Sequence, residues 1–344
     1  MTLLGYDTLT MWKTQAQGAV RGWDSTLTAD LTAGTGQNGL PSFHHTSGSV
    51  QTDAMSFAAR TNLLVGCAYY WTEAPGVAIT LIEFRNASTE QFALFIGTDG
   101  SIIAMKVDGS DVELGRTAAN IVFPNVHNYI EVKVFQSATV GTVDVWLNGD
   151  PTPVLSLTGK NTGSLTYDNF LLSHNPTRGD SDFSMIYWLD PSIGSAPYTT
   201  ALGNVRGAAH RPSGNGNSSQ LVGSDGNSTD NYLLVDESTP DDDTTYVESS
   251  TVGNEDTYTM DDLPTAPDTM LAVQSWLWAK KSDAGFRQIA PVIRRSGTDY
   301  VGTDVTLGTS YQPHLEIFTA DPSTAAAWTE AGVNALELGG KVTA

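Results

Sequence analysis

Cysteine is almost missing from this 344-residue sequence. Cys67 stands alone, so no internal disulfide can form and no thiolate zinc site can be assembled. It lies in Leu63-Leu-Val-Gly-Cys-Ala-Tyr69, an apolar run that reads as a buried strand, where a cysteine acts as a small hydrophobe. Basic residues are scarce too: 17 Lys and Arg face 38 Asp and Glu, for a net charge of −21. They form no stripe or patch, which argues against binding a nucleic-acid backbone. No stretch approaches the ~20 apolar residues of a membrane-spanning helix. Long helical patterns are nearly absent. The segment Met1-Thr-Leu-Leu-Gly-Tyr-Asp7 lacks the basic start and apolar centre of a secretory signal, so the expectation is synthesis in a cytoplasm without classical export.

What the sequence has instead is strands. Ile130, Val132 and Val134 alternate with Tyr129, Glu131 and Lys133; Val143, Val145 and Leu147 alternate with Thr142, Asp144 and Trp146. A period of two puts one row on each face of a sheet, one buried and one wet. Asn148-Gly149 follows, a pair suited to the positive φ angles of a tight turn. Similar runs are expected at Leu63–Trp71, Ala78–Phe84, Phe92–Gly97, Ile102–Val107, Val112–Arg116, Val154–Leu157, Asn169–Ser173 and Phe183–Leu189. Asp99-Gly100, Asp108-Gly109 and Asn175-Pro176 punctuate them. Short strands at this spacing without helices imply a two-sheet antiparallel sandwich or jelly roll.

The length and 33 glycines suit two β domains. Residues 1–195 form the first, 196–230 read as polar linker or loops, and 231–344 form a second β-rich domain. In the second, Met270–Lys281 reads as a strand with Gly285–Arg295 as its hairpin partner, and a helical turn is expected near Ala325–Ala335.

The chemistry-bearing residues are sparse. Glycosidases need two carboxylates flanking a cleft, but Glu83 stands alone in its strand and Glu131 and Asp144 lie on separate ones. The expectation is no enzyme. Adjacent His44 and His45 on a strand would point to opposite faces and could not share an ion; a surface loop is the simpler reading for them. The acidic run Asp236–Asp243, with Glu248, Glu255, Asp256, Asp261 and Asp262, matches no EF-hand loop. It reads as a solvated loop or subunit contact; no cofactor is called for, and Ca²⁺ is the one ion such oxygens could take. Among Trp12, Trp23, Trp71, Trp146, Trp188, Trp276, Trp278 and Trp328, Trp146 is the best sugar-stacking candidate, with Asp144 and Tyr129 on wet-face positions beside it. Most tryptophans of a sandwich serve the core or an interface.

Asn128–Phe135, Gly141–Gly149, Asn169–Ser173 and Phe183–Asp190 together resemble the concanavalin A-like/laminin G-like jelly roll, over about half of the chain. That resemblance implies an all-β fold: an antiparallel jelly-roll sandwich followed by a second β-sandwich domain. It does not choose between lectin, glucanase and inert module, and the glucanase carboxylates are missing. Thr257–Leu263, Leu271–Gln274, Phe286–Ile289 and Asp321-Pro … Ala327–Gly339 make the whole chain similar to structural proteins of tailed-bacteriophage virions. This implies a virion component, in the tail, fibre, neck or capsid decoration, assembling with itself and with other virion proteins. Trp276, Trp278 and Trp328 are then the interface anchors. The alternative is a host-glycan receptor-binding protein, with a polysaccharide depolymerase behind it.

Overall fold

A computed structural model describes residues 3–7, 23, 30–32, 35–37, 41–46, 50–74, 76–109, 111–174, 179–238, 240–263, 267 and 269–344. Trp12 and the Asn175-Pro176 turn lie outside these. The chain divides into two compact units, Met1–Gly207 and Ala208–Ala344.

The first unit is built from β1 (Leu3–Asp7), β2 (Asp30–Thr32), β3 (Ser42–His45), β4 (Gln51–Arg60), β5 (Asn62–Trp71), β6 (Ile79–Asn86) and β7 (Thr89–Ile96). There follow β8 (Ile102–Lys106), β9 (Val112–Arg116), β10 (Asn128–Phe135), β11 (Gly141–Leu147), β12 (Leu155–Lys160), β13 (Tyr167–His174) and β14 (Ser181–Leu189). An eight-stranded sheet runs β12-β11-β10-β5-β14-β3-β2, with β1 also on β14; a six-stranded sheet runs β4-β13-β6-β7-β8-β9. Every strand pair is antiparallel, so the unit is the expected jelly-roll sandwich. Its centre is aromatic and aliphatic: Val65, Ile130, Val132 and Phe183 from the larger sheet, Phe84, Phe92, Leu94 and Phe170 from the smaller, all at most 1% exposed. Asn148 and Gly149 have φ of 55° and 80°, and Asp150 N–H donates to Leu147 O at 3.1 Å, the tight turn foreseen for that pair.

The expected wet face of β10 and β11 is instead covered. Tyr129 and Glu131 are fully buried and Trp146 is 6% exposed. In register, Trp146, Glu131, Gly66 and Tyr187 form one row across four strands of the larger sheet. The residues after β14 fold back onto it. Leu202 and Gly203 N–H donate to Glu131 Oε1 at 2.8 and 3.0 Å, and Tyr187 Oη–H donates to the same oxygen. Gly66 makes this possible, because a Cβ there would sit 2.2 Å from Tyr187 Cε1. Burial pushes the Glu131 carboxyl upward, opposed by those donors. The strand alternation was right; the solvent assignment was not, because a polar backbone segment hides the outer row.

The second unit contains β15 (Pro212–Ser219), β16 (Val222–Gly223), β17 (Val247–Glu248), β18 (Glu255–Met260), β19 (Val273–Ala279) and β20 (Gln288–Arg295). It is completed by β21 (Thr298–Val301), β22 (Val305–Thr306), β23 (Gln312–Phe318), a short helix α1 (Glu330–Asn334) and β24 (Glu337–Val342). Its main sheet runs β15-β18-β24-β20-β21, with β22 also on β20. The polar stretch read as linker therefore splits. Its first part covers Glu131, and Pro212–Ser219 is a strand held at the sheet edge by Asn217 N–H on Glu337 Oε2 (2.7 Å) and Ser218 N–H on Thr257 Oγ1 (3.1 Å). The expected hairpin of Met270–Lys281 with Gly285–Arg295 is also corrected. β19 pairs with β23, whereas β20 pairs with β21, β22 and β24.

Trp328 belongs to a core of Ile293, Val333 and Leu336, and its indole N–H donates to Phe318 O at 2.7 Å. At 4% exposure it is no interface anchor; its size fills the space under α1. Removing a buried tryptophan typically costs about 3–5 kcal/mol. Trp328→Ala should lower the melting transition of the second unit and leave that of the first in place, as read by differential scanning calorimetry of the full chain.

Candidate functional site

With the row through Glu131 on the larger sheet covered, the outer face of the six-stranded sheet comes next. Strand register places Ala54, Leu171, Glu83, Ala93, Met105 and Glu113 directly opposite one another in a single row crossing all six strands. One step along, Ser56, Asn169, Arg85 and Glu90 form a parallel row. On the other side, Thr80, Phe95, Ile103 and Arg116 form a third.

The middle of this face is apolar and half-enclosed. Leu171 is 6% exposed, Ala93 1% and Ile103 4%, while Phe95 and Met105 are half-buried. Charged groups rim it. Arg85 Nε donates to Glu83 Oε2 at 2.8 Å and its Nη2 donates both to that oxygen and to Glu90 Oε1, the latter at 2.9 Å. On the far strand Arg116 Nε donates to Glu113 Oε1 at 2.8 Å. The Glu83 side chain is 13% exposed and that of Glu90 46%. Burial pushes the Glu83 carboxyl above its ordinary range, and Arg85 pulls back against this. A single guanidinium thus holds two carboxylates side by side. That leaves oxygen lone pairs and N–H groups at the border of an apolar floor, an arrangement suited to binding. Glycosidase carboxylates instead face each other across a bond.

The residues singled out from sequence fall elsewhere. Trp146 and Tyr129 are enclosed beneath the covering segment, and Tyr129 Oη–H donates to Met185 O at 3.2 Å. Asp144 is half-buried and accepts from Ser156 Oγ at 2.7 Å. None of the three reaches the row around Glu83. Trp276 and Trp278 are half-buried on β19. Trp278 Nε1–H donates to Asp242 Oδ1 at 2.8 Å and its ring is parallel to Tyr311, centroids 6.2 Å apart. Lys280 lies over the Tyr311 ring at 4.5 Å and donates to Asp243 Oδ2 at 2.7 Å. The acidic loop is therefore pinned to the β19–β23 ribbon. His44 and His45 do point to opposite faces, but from strand β3 and not from a loop: His44 Nδ1 lies 2.9 Å from Asp182 Oδ1, and His45 Nε2 lies 2.8 Å from Asp53 Oδ2 in the interior. Among the described residues no group of three or more His, Cys, Asp or Glu is arranged to hold a metal ion.

Sequence reasoning passed over the Glu83 row because it looked for paired carboxylates within one strand. The available signal was Glu83-Phe-Arg85, two charges at a spacing of two within an otherwise apolar strand.

No family model and no curated protein matches the chain. Solved structures with a similar backbone include a carbohydrate-binding module, CBM66, from Bacillus subtilis, at 12% identity over 49% of this chain and 96% of that one, TM-score 0.34. The Ca²⁺-bound exoplasmic/lumenal domain of VIP36 is similar at 11% identity over 59% and 99%, TM-score 0.39. The cellulose-induced protein Cip1 is similar at 10% identity over 51% and 87%, TM-score 0.39.

Because the folded state raises the Glu83 proton affinity, it binds that proton more tightly than the unfolded chain does. This group therefore costs stability as pH rises out of the ordinary carboxylate range. Glu83→Gln removes that dependence. Its melting temperature relative to the native chain should rise from pH 4 to pH 6.5 in scanning calorimetry; a difference independent of pH would contradict the assigned environment.

Proposed function

We propose that the chain is a non-catalytic binding protein whose first unit takes a neutral glycan on the outer face of its six-stranded sheet. The observation that carries this reading is the row through Glu83: half-buried Met105 and Phe95, packed over buried Leu171 and Ala93 and bordered by Glu83, Arg85 and Glu90. A pyranose offers an apolar C–H face and a girdle of hydroxyls that both donate and accept. The floor suits the first, and the carboxylate oxygens and guanidinium N–H groups suit the second. The rim holds Glu83, Glu90 and Glu113 against Arg85 and Arg116, and the chain carries −21 overall. Sulfated or phosphorylated glycans would be repelled, so the favoured ligand is uncharged.

The test is a glycan array with the full chain, run with and without Ca²⁺, followed by calorimetric titration of any hit. Neutral oligosaccharides should bind. Glu83→Ala should weaken them by about tenfold or more, the usual loss for a hydrogen bond to a charged group, while Trp278→Ala should leave binding unchanged. A blank array in both conditions ends the glycan reading. Release of reducing ends from a bound polysaccharide would replace it with a hydrolase.

Assembly into a tailed-bacteriophage particle is the second reading. Its self-association part draws on exposed apolar surface at Phe286, 62% exposed. It expects a homo-oligomer by light scattering that Trp276→Ala weakens, and a monomer at the highest soluble concentration would count against it.

A further inference from the structure

The charged groups on the outer face of the six-stranded sheet fall into two stations. The first straddles β6 and β7, where Arg85 ties Glu83 and Glu90 together. The second lies on the edge strand β9, where Arg116 pairs with Glu113. Register fixes their spacing. Glu83 is opposite Ala93, Ala93 opposite Met105, and Met105 opposite Glu113. The two glutamates are therefore three strand spacings apart in one row, or about 14 Å at about 4.8 Å per spacing. The floor between them comes from β7 and β8 and is apolar: Ala93 and Met105 in the row itself, Phe95 and Ile103 in the row beside it.

We propose that the first unit recognises a linear neutral oligosaccharide laid across the strands, with one hydroxyl-binding station at Glu83 and a second at Glu113. This rests on the glycan reading of the same face and adds to it the length and direction of the ligand. A pyranose residue lengthens an extended chain by roughly one strand spacing, so about three residues reach from β6 to β9. A monosaccharide meets one station only. A longer chain meets both, and its second contact is intramolecular, made without a second loss of translational freedom. A chain lying along β6 and β7 would meet Glu83, Arg85 and Glu90 but not Glu113. Contact with Glu113 thus specifies the crosswise direction.

The two stations differ in strength. The Glu83 side chain is largely enclosed, whereas those of Glu113 and Arg116 are exposed, where water competes harder for each hydrogen bond. Hydrogen bonding from Arg116 pulls the Glu113 carboxyl below its ordinary range, so at neutral pH it is an anion that accepts from hydroxyls. Glu83 is the anchor, and Glu113 extends the footprint.

NMR titration of the full chain, which reads millimolar affinities, tests this with gluco-, xylo- and manno-oligosaccharides of one to six residues and with the same ladder for any other neutral array hit. Affinity should rise about tenfold between the disaccharide and the tetrasaccharide and then level off, the gain of one further hydrogen-bonded station. Replacing the exposed pair together, Glu113→Ala with Arg116→Ala, should leave the melting temperature and disaccharide binding unchanged and remove that gain. Glu83→Ala should weaken every length. Equal affinity at all lengths, or a gain that survives the double replacement, overturns this proposal and leaves the glycan reading standing. No binding at any length of any ladder removes the glycan reading itself, and this proposal with it.

Discussion

A single buried carboxylate sets the plan of the first unit. Glu131 points to the outer face of the eight-stranded sheet, where a lone anion would be costly without donors. The chain supplies them by folding residues 198–203 across the sheet so that two backbone N–H groups and the Tyr187 hydroxyl converge on one oxygen. The geometry tolerates no side chain at Gly66, over which the Tyr187 ring must pass. On the other sheet, Glu83 is held by a side-chain guanidinium and not by backbone. The two glutamates occupy comparable positions on opposite sheets. Glu131 ties down the protein's own chain; Glu83 keeps part of its hydrogen-bonding capacity at a partly open border.

The same contrast separates the two histidines of β3. His44 and His45 are neighbours in sequence and opposite in environment, one at the outer face with Asp182, the other in the interior with Asp53. A strand can do this because its side chains alternate. The polar end of the core is then a deliberate departure from aliphatic packing. Burying two imidazoles and a carboxylate where valines would fit gains little stability.

Much of the sandwich was legible because its strands carry β-branched and aromatic residues at a period of two. β5, β6, β8, β10, β11 and β14 lie close to where the pattern puts them. The misses share a cause. β4 (Gln51-Thr-Asp-Ala-Met-Ser-Phe-Ala-Ala-Arg60) and β15 (Pro212-Ser-Gly-Asn-Gly-Asn-Ser-Ser219) are edge strands of small and polar residues, and what fixes them is backbone pairing with distant partners. Strand propensity reports packing against neighbours, so a strand whose packing is supplied by others is silent in sequence. The covered outer face was illegible for a related reason. Alternation says which residues share a face; it cannot say what later segment will lie on it. Trp146 was therefore placed on the right face and given the wrong solvent. The Glu83 row needed register across six strands, which no single strand reveals.

Charge bears on the ligand class proposed for the Glu83 face. Among the described residues, several cations are tied to carboxylates: Arg60 to Asp190, Arg85 to Glu83 and Glu90, Arg116 to Glu113, Lys280 to Asp243, Arg294 to Asp299, Arg295 to Asp321 and Lys341 to Glu255. In the second unit these ties also fix the acidic loop, since Lys280 both neutralises Asp243 and covers the Tyr311 ring that stacks on Trp278. A cation already hydrogen-bonded to a carboxylate is a poor anchor for a phosphate or sulfate, because the new partner must displace an existing one and then sit in the field of the remaining acids. On the glycan reading, recognition by this surface would rest on dipoles: hydroxyl groups donating to Glu83 and Glu90 and accepting from Arg85 without carrying charge into a field that opposes it. On that reading an uncharged polyol with an apolar face would meet the requirement, and a polyanion would not.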